Sequence, residues 1–376
     1  MIRTRNMRTI SLLFTTLLIG LANPVIAKGQ FDLLQIPSQK SPIADKSIIT
    51  NITSYQSKIL AVGERGHILA WTDKDNWQQQ NVPVSLTLTD ITILKDGTKF
   101  AVGHDGVILK SEPQSDSWLK VFDGNELTKF KIGFIKKTIE DLQSDLEQLT
   151  DQDEIEELNF SIEDLQFNLE DAQIELNDGP NKPLLSITAN QNDQLFAVGA
   201  YGTMLTSTDA GNTWQLINGR VENFDQFHLN SIITADNGFM YIVGENGIGF
   251  SSQDNGQTWQ TMALPYDGSI FGITSKNESL VAFGLQGNFM VSKDNGDSWE
   301  GANIGISSSL LGGVIAPDMT VSLVGHGGVI VRFNINDLST LSLHRHPSGA
   351  VFSSVLISDN KLVLAGQFGM TTWLVK

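Results

Sequence analysis

The chain has 376 residues, of which 40% are hydrophobic, and its 42 acidic and 25 basic side chains give a net charge of −17. Such an acidic surface disfavours binding to nucleic acids and to anionic membranes. The sequence contains no cysteine, which excludes disulfide bonds, a cysteine nucleophile and a lipid-modified cysteine at a processed N-terminus.

Residues 1–27 have the pattern of a secretory signal peptide. Three arginines precede an apolar stretch over residues 10–22, and Val25-Ile26-Ala27 occupies the cleavage positions. We therefore expect export, to the periplasm of a two-membrane cell or to a lumen-like compartment of a photosynthetic one, with an uncleaved anchor as the alternative. Cleavage would remove three positive charges and leave a net charge of −20. No later segment is apolar enough to cross a bilayer, so no membrane insertion is expected after cleavage.

From residue 28 onward the sequence repeats two apolar runs that are separated by a Gly-x-x-Gly turn. The first glycines of these turns are Gly63, Gly103, Gly199, Gly244, Gly284, Gly325 and Gly366. The spacing is 40 to 45 residues except for one interval of 96. Seven copies with several short strands each predict an all-β fold, a seven-bladed β-propeller, with blades one and two in residues 28–124 and blades three to seven in residues 184–376.

The last copy has inner strands but no outermost strand. Residues 31–36 resemble the fourth-strand segments at 77–83 and 259–265. We therefore expect residues 31–36 to form the outer strand of the seventh blade and to close the ring, which would remove an exposed sheet edge.

The long interval holds an insertion, residues 125–183, whose periodicity is helical. Its apolar residues step by three and four in two runs separated by the polar residues 150–153. The first run is Ile135, Ile139, Leu142, Leu146 and Leu149, and the second is Ile155, Leu158, Ile162, Leu165, Leu169, Ala172 and Leu176. This pattern predicts an antiparallel coiled-coil hairpin of about 24 residues per helix, about 35 Å long. From Glu126 to Asp178, 16 acidic residues stand against only four lysines. They are either a solvated surface or part of a docking arm.

A second turn, Ser-x-Asp-x-Gly-x-x-Trp, follows the Gly-x-x-Gly turn in three copies. Its shared positions are Asp209, Gly211, Trp214, Asp254, Gly256, Trp259, Asp294, Gly296 and Trp299. An Asp carboxylate can accept N–H groups of its own turn, and the glycine can adopt positive φ. The Trp is expected to pack between neighbouring blades. These aspartates are therefore interpreted as structural, not catalytic.

These Asp-box repeats resemble the photosystem II stability/assembly factor family and its non-photosynthetic bacterial relatives, over residues 31–122 and 184–376. The resemblance implies an exported propeller that acts, without catalysis, as a scaffolding or assembly factor for a membrane complex. The arginine-rich patch of the photosynthetic members has few counterparts among Arg65, Arg220, Arg332 and Arg345, and the lipid-anchoring cysteine is absent. A non-photosynthetic relative that serves an envelope complex is therefore expected, with a photosystem II assembly factor as another interpretation.

The alternative function is that of a carbohydrate-binding or sialidase-like glycoside hydrolase propeller, because sialidases also contain Asp-boxes. That family resembles this turn chemistry but uses an arginine triad and a tyrosine–carboxylate pair, and no arginine here stands in an Arg-Ile-Pro context. His344-x-His346 is the one close histidine pair and a weak metal signal. We therefore expect no enzyme activity, metal or cofactor, and a protein partner.

Strand alternation predicts which loops share a face of the propeller. The Gly-x-x-Gly turns and the insertion should lie on one face, and the Asp-boxes on the other. The candidate binding residues lie inside the Gly-x-x-Gly turns and are Arg65, His104, Asp105, Tyr201, Glu245, Asn246, Gln286, His326, Gln367 and Phe368. A ring of aromatic, amide and charged side chains beside a projecting arm is the predicted interaction surface.

Overall fold

A computed structural model gives the structure of residues 32–55, 58–73, 76–358 and 361–374. The predicted signal peptide and Phe31, the first residue of the predicted closing strand, lie outside these residues. None of the helices within the described ranges is long and apolar enough to cross a membrane.

The described residues form seven antiparallel sheets in chain order. The first three sheets consist of β1 Ile49–Tyr55, β2 Lys58–Gly63, β3 Ile68–Asp73 and β4 Asn76–Gln79; β5 Leu88–Ile93, β6 Lys99–Gly103, β7 Ile108–Ser111 and β8 Leu119–Phe122; and β9 Leu184–Ala189, β10 Leu195–Gly199, β11 Met204–Ser207 and β12 Gln215–Leu216. Each sheet pairs its strands in sequence order, as the Gly-x-x-Gly and Asp-box turns predict.

Sheets four to seven continue the same pattern. Their strands are β13 Leu229–Thr234, β14 Met240–Gly244, β15 Gly249–Ser252 and β16 Gln260–Thr261; β17 Ile270–Lys276, β18 Ser279–Gly284, β19 Asn288–Ser292 and β20 Glu300–Asn303; β21 Leu310–Ile315, β22 Thr320–Gly325, β23 Val329–Asn334 and β24 Asp337–Arg345; and β25 Phe352–Ser358, β26 Lys361–Gly366 and β27 Gly369–Leu374. The seventh sheet has three strands within the described residues. The arrangement matches the predicted seven-bladed propeller.

The hydrophobic core lies between neighbouring sheets. The second strand of each sheet is buried along almost its whole length, because both of its faces pack on an adjacent sheet. Seven clusters of buried residues each join two successive sheets, and one of them brings Ile52 of β1 and Ala365 of β26 together. The Ser353 hydroxyl of β25 also donates a 2.7 Å hydrogen bond to the Ile49 carbonyl of β1. The first and last sheets are therefore packed neighbours.

The insertion forms two helices, α1 Gly124–Leu146 and α2 Gln152–Asp178. They pack side by side along the predicted apolar positions, with Ile135, Ile139, Ile162 and Ala172 buried. The Lys131 ammonium, near the start of α1, lies 3.6 Å from the Glu175 carboxylate, near the end of α2. The two helices are therefore antiparallel, and together they are called the arm below.

The prediction of a closing N-terminal strand is wrong for the residues that can be described. Residues 32–36 form a turn instead of a strand on the seventh sheet. The Ser85 N–H donates to the Leu33 carbonyl at 3.0 Å, and the Ser38 N–H donates to the Val82 carbonyl at 2.9 Å, so this segment lies on the connection between sheets one and two. Pro37 and Pro42 lack the N–H groups that a continuous strand would need.

The N-terminal segment nevertheless reaches the seventh sheet. A short 3₁₀ helix at Ala44–Lys46 packs against β27, and the Asp45 carbonyl lies so close to Gly369 that a side chain there would collide with it. Leu34 is buried in the core between sheets one and two, and Ala44 in the core between sheets seven and one. The segment therefore connects sheet seven to sheet two across sheet one without forming a strand.

Candidate interaction face

The seven Gly-x-x-Gly turns share one backbone contact, which defines the face on which they lie. In every sheet the N–H of the residue after the first glycine donates to the carbonyl of the residue just before the first strand, at 2.9 to 3.0 Å. That carbonyl belongs to the crossover, the segment that enters the sheet from the preceding one. The Gly-x-x-Gly turns and the crossovers therefore lie on the same face, which is called the turn face below.

The first glycine of each turn is needed for close approach. A Cβ at Gly63 would lie 2.1 Å from the Ile48 carbonyl oxygen, and one at Gly366 would lie 1.9 Å from the Val351 carbonyl oxygen. The residue before the second glycine has positive φ in five of the turns although it is not glycine, as at Tyr201 with φ 55°. The turn conformation is thus set largely by the backbone, and most of the side chains inside it face solvent.

The predicted binding residues lie one or two to a sheet around the turn face. Most are exposed, and Tyr201 and Phe368 present 53% and 63% of their surfaces although both are large and aromatic. The structure brings two of the predicted residues, Tyr201 and Glu245, into one cluster through His228. The others are distributed around the ring in separate turns, one or two to a turn.

The arm begins on this same face, as predicted. Gly124 at the start of α1 packs on the Gly-x-x-Gly turn of sheet two, where a Cβ would lie 2.8 Å from the Asp105 carbonyl oxygen. Leu127 is buried in the core between sheets two and three, and the Phe130 ring lies 5.8 Å from that of Phe122 in β8. The first two turns of α1 therefore pack on the propeller core. This packing fixes the base of the arm against the propeller.

A polar and aromatic cluster joins the base of the arm to the turns of sheets three and four. The Lys182 ammonium lies 2.6 Å from the Glu175 carboxylate of α2 and 5.8 Å from the centre of the Tyr201 ring. The Tyr201 ring meets the His228 ring edge-on at 5.0 Å, and the Tyr201 N–H donates to His228 Nδ1 at 3.0 Å. The His228 N–H donates to the Glu245 carboxylate at 3.2 Å.

Sequence reasoning missed Lys182, His228 and Glu175. His228 occupies the crossover position that caps the turn, and its backbone role is shared by seven residues of different types, so the repeat does not mark its side chain. Lys182 and Glu175 come together because the arm folds back on its own base. One signal was available, since the face assignment already placed the ends of the insertion beside the Tyr201 turn.

The Asp-box aspartates are occupied by hydrogen bonds within their own turns. The Asp209 carboxylate accepts from the Ser207 hydroxyl at 2.9 Å, the Thr213 N–H at 2.8 Å and the Thr213 hydroxyl at 2.6 Å. The Thr213 bonds lower the pKa of Asp209 to about 2. The boxes at Asp254 and Asp294 repeat this pattern. The geometry favours the structural interpretation of these aspartates.

The Asp-box glycines and tryptophans both lie at contacts between blades. Gly211, with φ 77°, lies against the ring of Phe100 in the preceding sheet, and Gly256, with φ 83°, lies against Phe196 in the same way. At Gly296 the preceding aromatic is Tyr241, whose hydroxyl donates to the Asn295 carbonyl at 2.9 Å. The Trp259 and Trp299 indole N–H groups donate to the carbonyls of their own box glycines. Trp214 packs across blades, 6.3 Å from Phe122. Trp259 and Trp299 pack on the cores between sheets three and four and between sheets four and five.

The central channel, a cavity of about 440 Å³, is lined mainly by the first strands of the sheets and contains one notable acid. The Asp90 carboxylate accepts hydrogen bonds from Asn51 Nδ2 of sheet one at 2.6 Å and from the Ser186 hydroxyl of sheet three at 2.7 Å. The Ile91 and Ile187 N–H groups donate to it as well. Burial nevertheless raises the pKa of Asp90 to about 6, because desolvation opposes its charged form.

The arginines within the described residues belong to several sheets: Arg65 to sheet one, Arg220 to the segment after sheet three, and Arg332 and Arg345 to sheet six. Arg65 is in the turn of sheet one, Arg220 Nη1 donates to the Gly256 carbonyl at 2.8 Å, and Arg345 Nη1 donates to the Gly327 carbonyl at 3.2 Å. His344 and His346 bond to the neighbouring hydroxyls of Ser342 and Ser348. Within the described ranges, no three His, Cys, Asp or Glu side chains are grouped so that they could hold a metal ion.

Seven antiparallel sheets with Gly-x-x-Gly and Asp-box turns define a β-propeller with an anchored helical arm. Residues 166–268 match the model of a family described as Photosynthesis system II assembly factor YCF48. The match runs from the second half of α2 through sheets three and four, which contain two of the three complete Asp-boxes. It confirms the resemblance to the photosystem II assembly factor family over these repeats. No curated protein matches the chain.

Solved structures of propellers are similar to the chain over most of its length. YCF48 bound to D1 peptide has 14% sequence identity and a TM-score of 0.56, with 88% of this chain and 94% of that chain covered. YCF48 from Cyanidioschyzon merolae has 13% identity and a TM-score of 0.57, with 89% and 97% covered. The WD40 propeller domain of Doa1 has 10% identity and a TM-score of 0.58, with 90% and 95% covered. At these identities the similarity shows the fold.

Proposed function

We propose that the protein is an exported, non-catalytic propeller that acts as an assembly or stability factor for a membrane or envelope complex. Its binding surface is the turn face together with the arm. The observation that carries this proposal is the cluster in which the base of the arm, Lys182, Tyr201 and His228 meet beside exposed turn side chains. One similar structure is described as YCF48 bound to D1 peptide, which supports a protein segment as the ligand of a propeller of this fold.

The construction of the turn face fits binding better than catalysis. Exposed aromatic side chains such as Tyr201 and Phe368 supply contact area at low entropic cost, and they are typical of protein interaction surfaces. The Asp-box carboxylates, the acids shared with sialidases, are occupied by hydrogen bonds within their own turns. A carbohydrate-binding or sialidase-like activity remains the alternative, to be detected as glycan binding or hydrolysis.

The proposal is tested by affinity capture and crosslinking from envelope extracts of the source organism. The variant R65N/Y201N/F368N removes three large side chains from the turn face and should fold, because Asn246 already occupies the Tyr201 position in sheet four. We expect the wild-type protein to capture a membrane complex and the triple variant to lose it. The control Q257A/K293A changes two exposed residues on the Asp-box face and should capture normally.

A second variant tests the arm without disturbing the core. Residues 136–171 are replaced by a short loop, which keeps Leu127, Phe130 and the Lys131–Glu175 ion pair at the base. Reduced capture by this shortened arm would assign part of the binding to its outer portion. Unchanged capture by the folded R65N/Y201N/F368N protein would contradict the proposal, and so would capture of glycans in place of a membrane complex.

A further inference from the structure

The outer surface of α2 carries an apolar stripe that packs on nothing in the described structure. Phe160, Phe167 and Ile174 are 74%, 68% and 57% exposed. They are seven residues apart, which is close to two helical turns, so they lie in one line along the helix. Each is two residues from a buried or half-buried position of the arm's core, about 200° around the helix. The stripe therefore faces away from α1, and it is about 21 Å long.

Carboxylates surround this stripe almost completely. Residues three and four positions away on either side are its surface neighbours on a helix, and seven of these eight different neighbours are exposed acids: Glu156, Glu157, Glu163, Asp164, Glu170, Asp171 and Asp178. The eighth is Asn177. The whole of α2 has ten acidic residues and no Lys, Arg or His. Within the described chain its ion pairs both involve Glu175 at the base, away from the stripe.

The apolar stripe and the carboxylates around it restrict which molecules can bind there. A second copy would bring two such acidic faces together, and an anionic lipid surface would be repelled in the same way. If only water covered the stripe, two phenylalanines and an isoleucine would stay exposed in a row, at positions where a solvated helix ordinarily has polar residues. A cationic amphipathic segment satisfies both features, because its apolar face covers the stripe while its Lys or Arg side chains meet the flanking carboxylates.

We propose that the outer face of α2 is a docking site for a basic amphipathic segment of a partner protein. This proposal rests on the proposed function and specifies the chemistry of the segment that the arm binds. Phe160 and Phe167 are the apolar anchors. The acids at positions 163 and 164 lie between them and flank both, and those at 170 and 171 flank Phe167 on its other side. Charge attraction selects the partner and speeds association, while burial of the two rings supplies most of the affinity.

The test uses the full mature protein and a synthetic amphipathic peptide with a leucine stripe flanked by lysines, and fluorescence anisotropy measures binding. We expect F160A/F167A to weaken binding about ten-fold or more, and raised salt to weaken it as well. The control is F134A, because Phe134 is 70% exposed on α1 but has Lys131 and Lys137 three residues away on either side. Both changes place alanine at exposed helical positions, so the fold should persist.

Two further measurements distinguish this proposal from the proposed function. The R65N/Y201N/F368N variant should bind the peptide as wild type does, whatever happens to its capture of a membrane complex. A scrambled peptide of the same composition should bind at least about ten-fold more weakly. The proposal is overturned if the scrambled peptide binds equally, if F134A weakens binding as much as F160A/F167A does, or if wild-type protein self-associates through the stripe instead.

Discussion

At the level of single residues, the contact of a box glycine with the aromatic ring of the preceding blade constrains the packing of neighbouring blades. A Cβ on Gly256 would lie 2.4 Å from the Phe196 ring, and the backbone there has φ 83°. Both rings and turns are rigid, so neither can move away cheaply. The Asp-box is thus a contact between blades as well as a local turn.

Gly256→Ala should therefore destabilise the protein by about 2–4 kcal/mol, because it combines overpacking with a left-handed backbone. The matched control is Gly305→Ala, where φ is 71° but no atom lies within 4 Å of the new Cβ. That change should cost about 1 kcal/mol, from backbone strain alone. Equal losses in urea unfolding of the two variants would show that the ring contact contributes nothing.

The channel acid Asp90 should make stability depend on pH in an unusual direction. Its folded pKa of about 6 lies above the ordinary value of 3.8, so the folded state binds the extra proton between these values. The contribution of Asp90 to the free energy of unfolding is therefore greatest below pH 4 and falls by up to about 3 kcal/mol as pH rises from 4 through 6.

Urea unfolding of the wild type and Asp90→Asn from pH 4 to pH 8 checks this. As pH rises, the wild type should lose free energy of unfolding relative to Asp90→Asn. If the variant does not fold, an NMR titration of the Asp90 carboxyl in the wild type gives the pKa directly. A flat difference across this range, or a midpoint near pH 4, would contradict the prediction.

At the level of elements, the arm consists of an anchored base and a projecting outer portion. Replacing residues 136–171 by a short loop should leave the melting temperature of the propeller almost unchanged, because this portion packs only on itself. Leu127→Ala should instead cost about 2–3 kcal/mol, since that side chain is buried between sheets two and three. Differential scanning calorimetry of both variants tests the division. A large loss on shortening would show that the outer portion supports the propeller.

The elements show why part of the structure was predictable. Alternating strands, Gly-x-x-Gly turns and the heptad steps of the arm depend on neighbours in sequence, so the pattern predicts seven sheets and two helices at nearly the observed positions. The Lys182, Tyr201 and His228 cluster depends on segments that meet only after folding. The raised pKa of Asp90 likewise depends on sheets one and three converging on it, which no local spacing reveals.

At the level of the whole molecule, the similarity of the N-terminal segment to the fourth strands of other sheets did not predict where this segment lies. Leu34 packs in the propeller core, and the hydrogen bonds of Ser85 and Ser38 place residues 33–38 on the connection between sheets one and two. Similarity to a fourth strand predicts burial, whereas the location depends on which edge offers free backbone groups. The first and last sheets meet through core side chains instead.

Leu34→Ala should therefore destabilise the protein by about 2–4 kcal/mol, because the side chain is 3% exposed within the core between sheets one and two. The adjacent residue gives the control, since Leu33 is 44% exposed and Leu33→Ala should cost less than about 0.5 kcal/mol. Thermal melts of the two variants distinguish the cases. If Leu33→Ala were the more damaging change, the observed position of the segment would be incorrect.

The crossover carbonyl that holds each Gly-x-x-Gly turn has a consequence for evolution and for design. Because a main-chain hydrogen bond holds each of the seven turns, exposed turn side chains that make no such contact, such as those of Arg65, His104 and Gln286, can be exchanged while that bond is kept. The fold therefore provides several positions, all on one rim, where new binding preferences could be selected by single-codon changes at little cost in stability. Libraries randomised at these positions should yield a high fraction of folded propellers with new ligands.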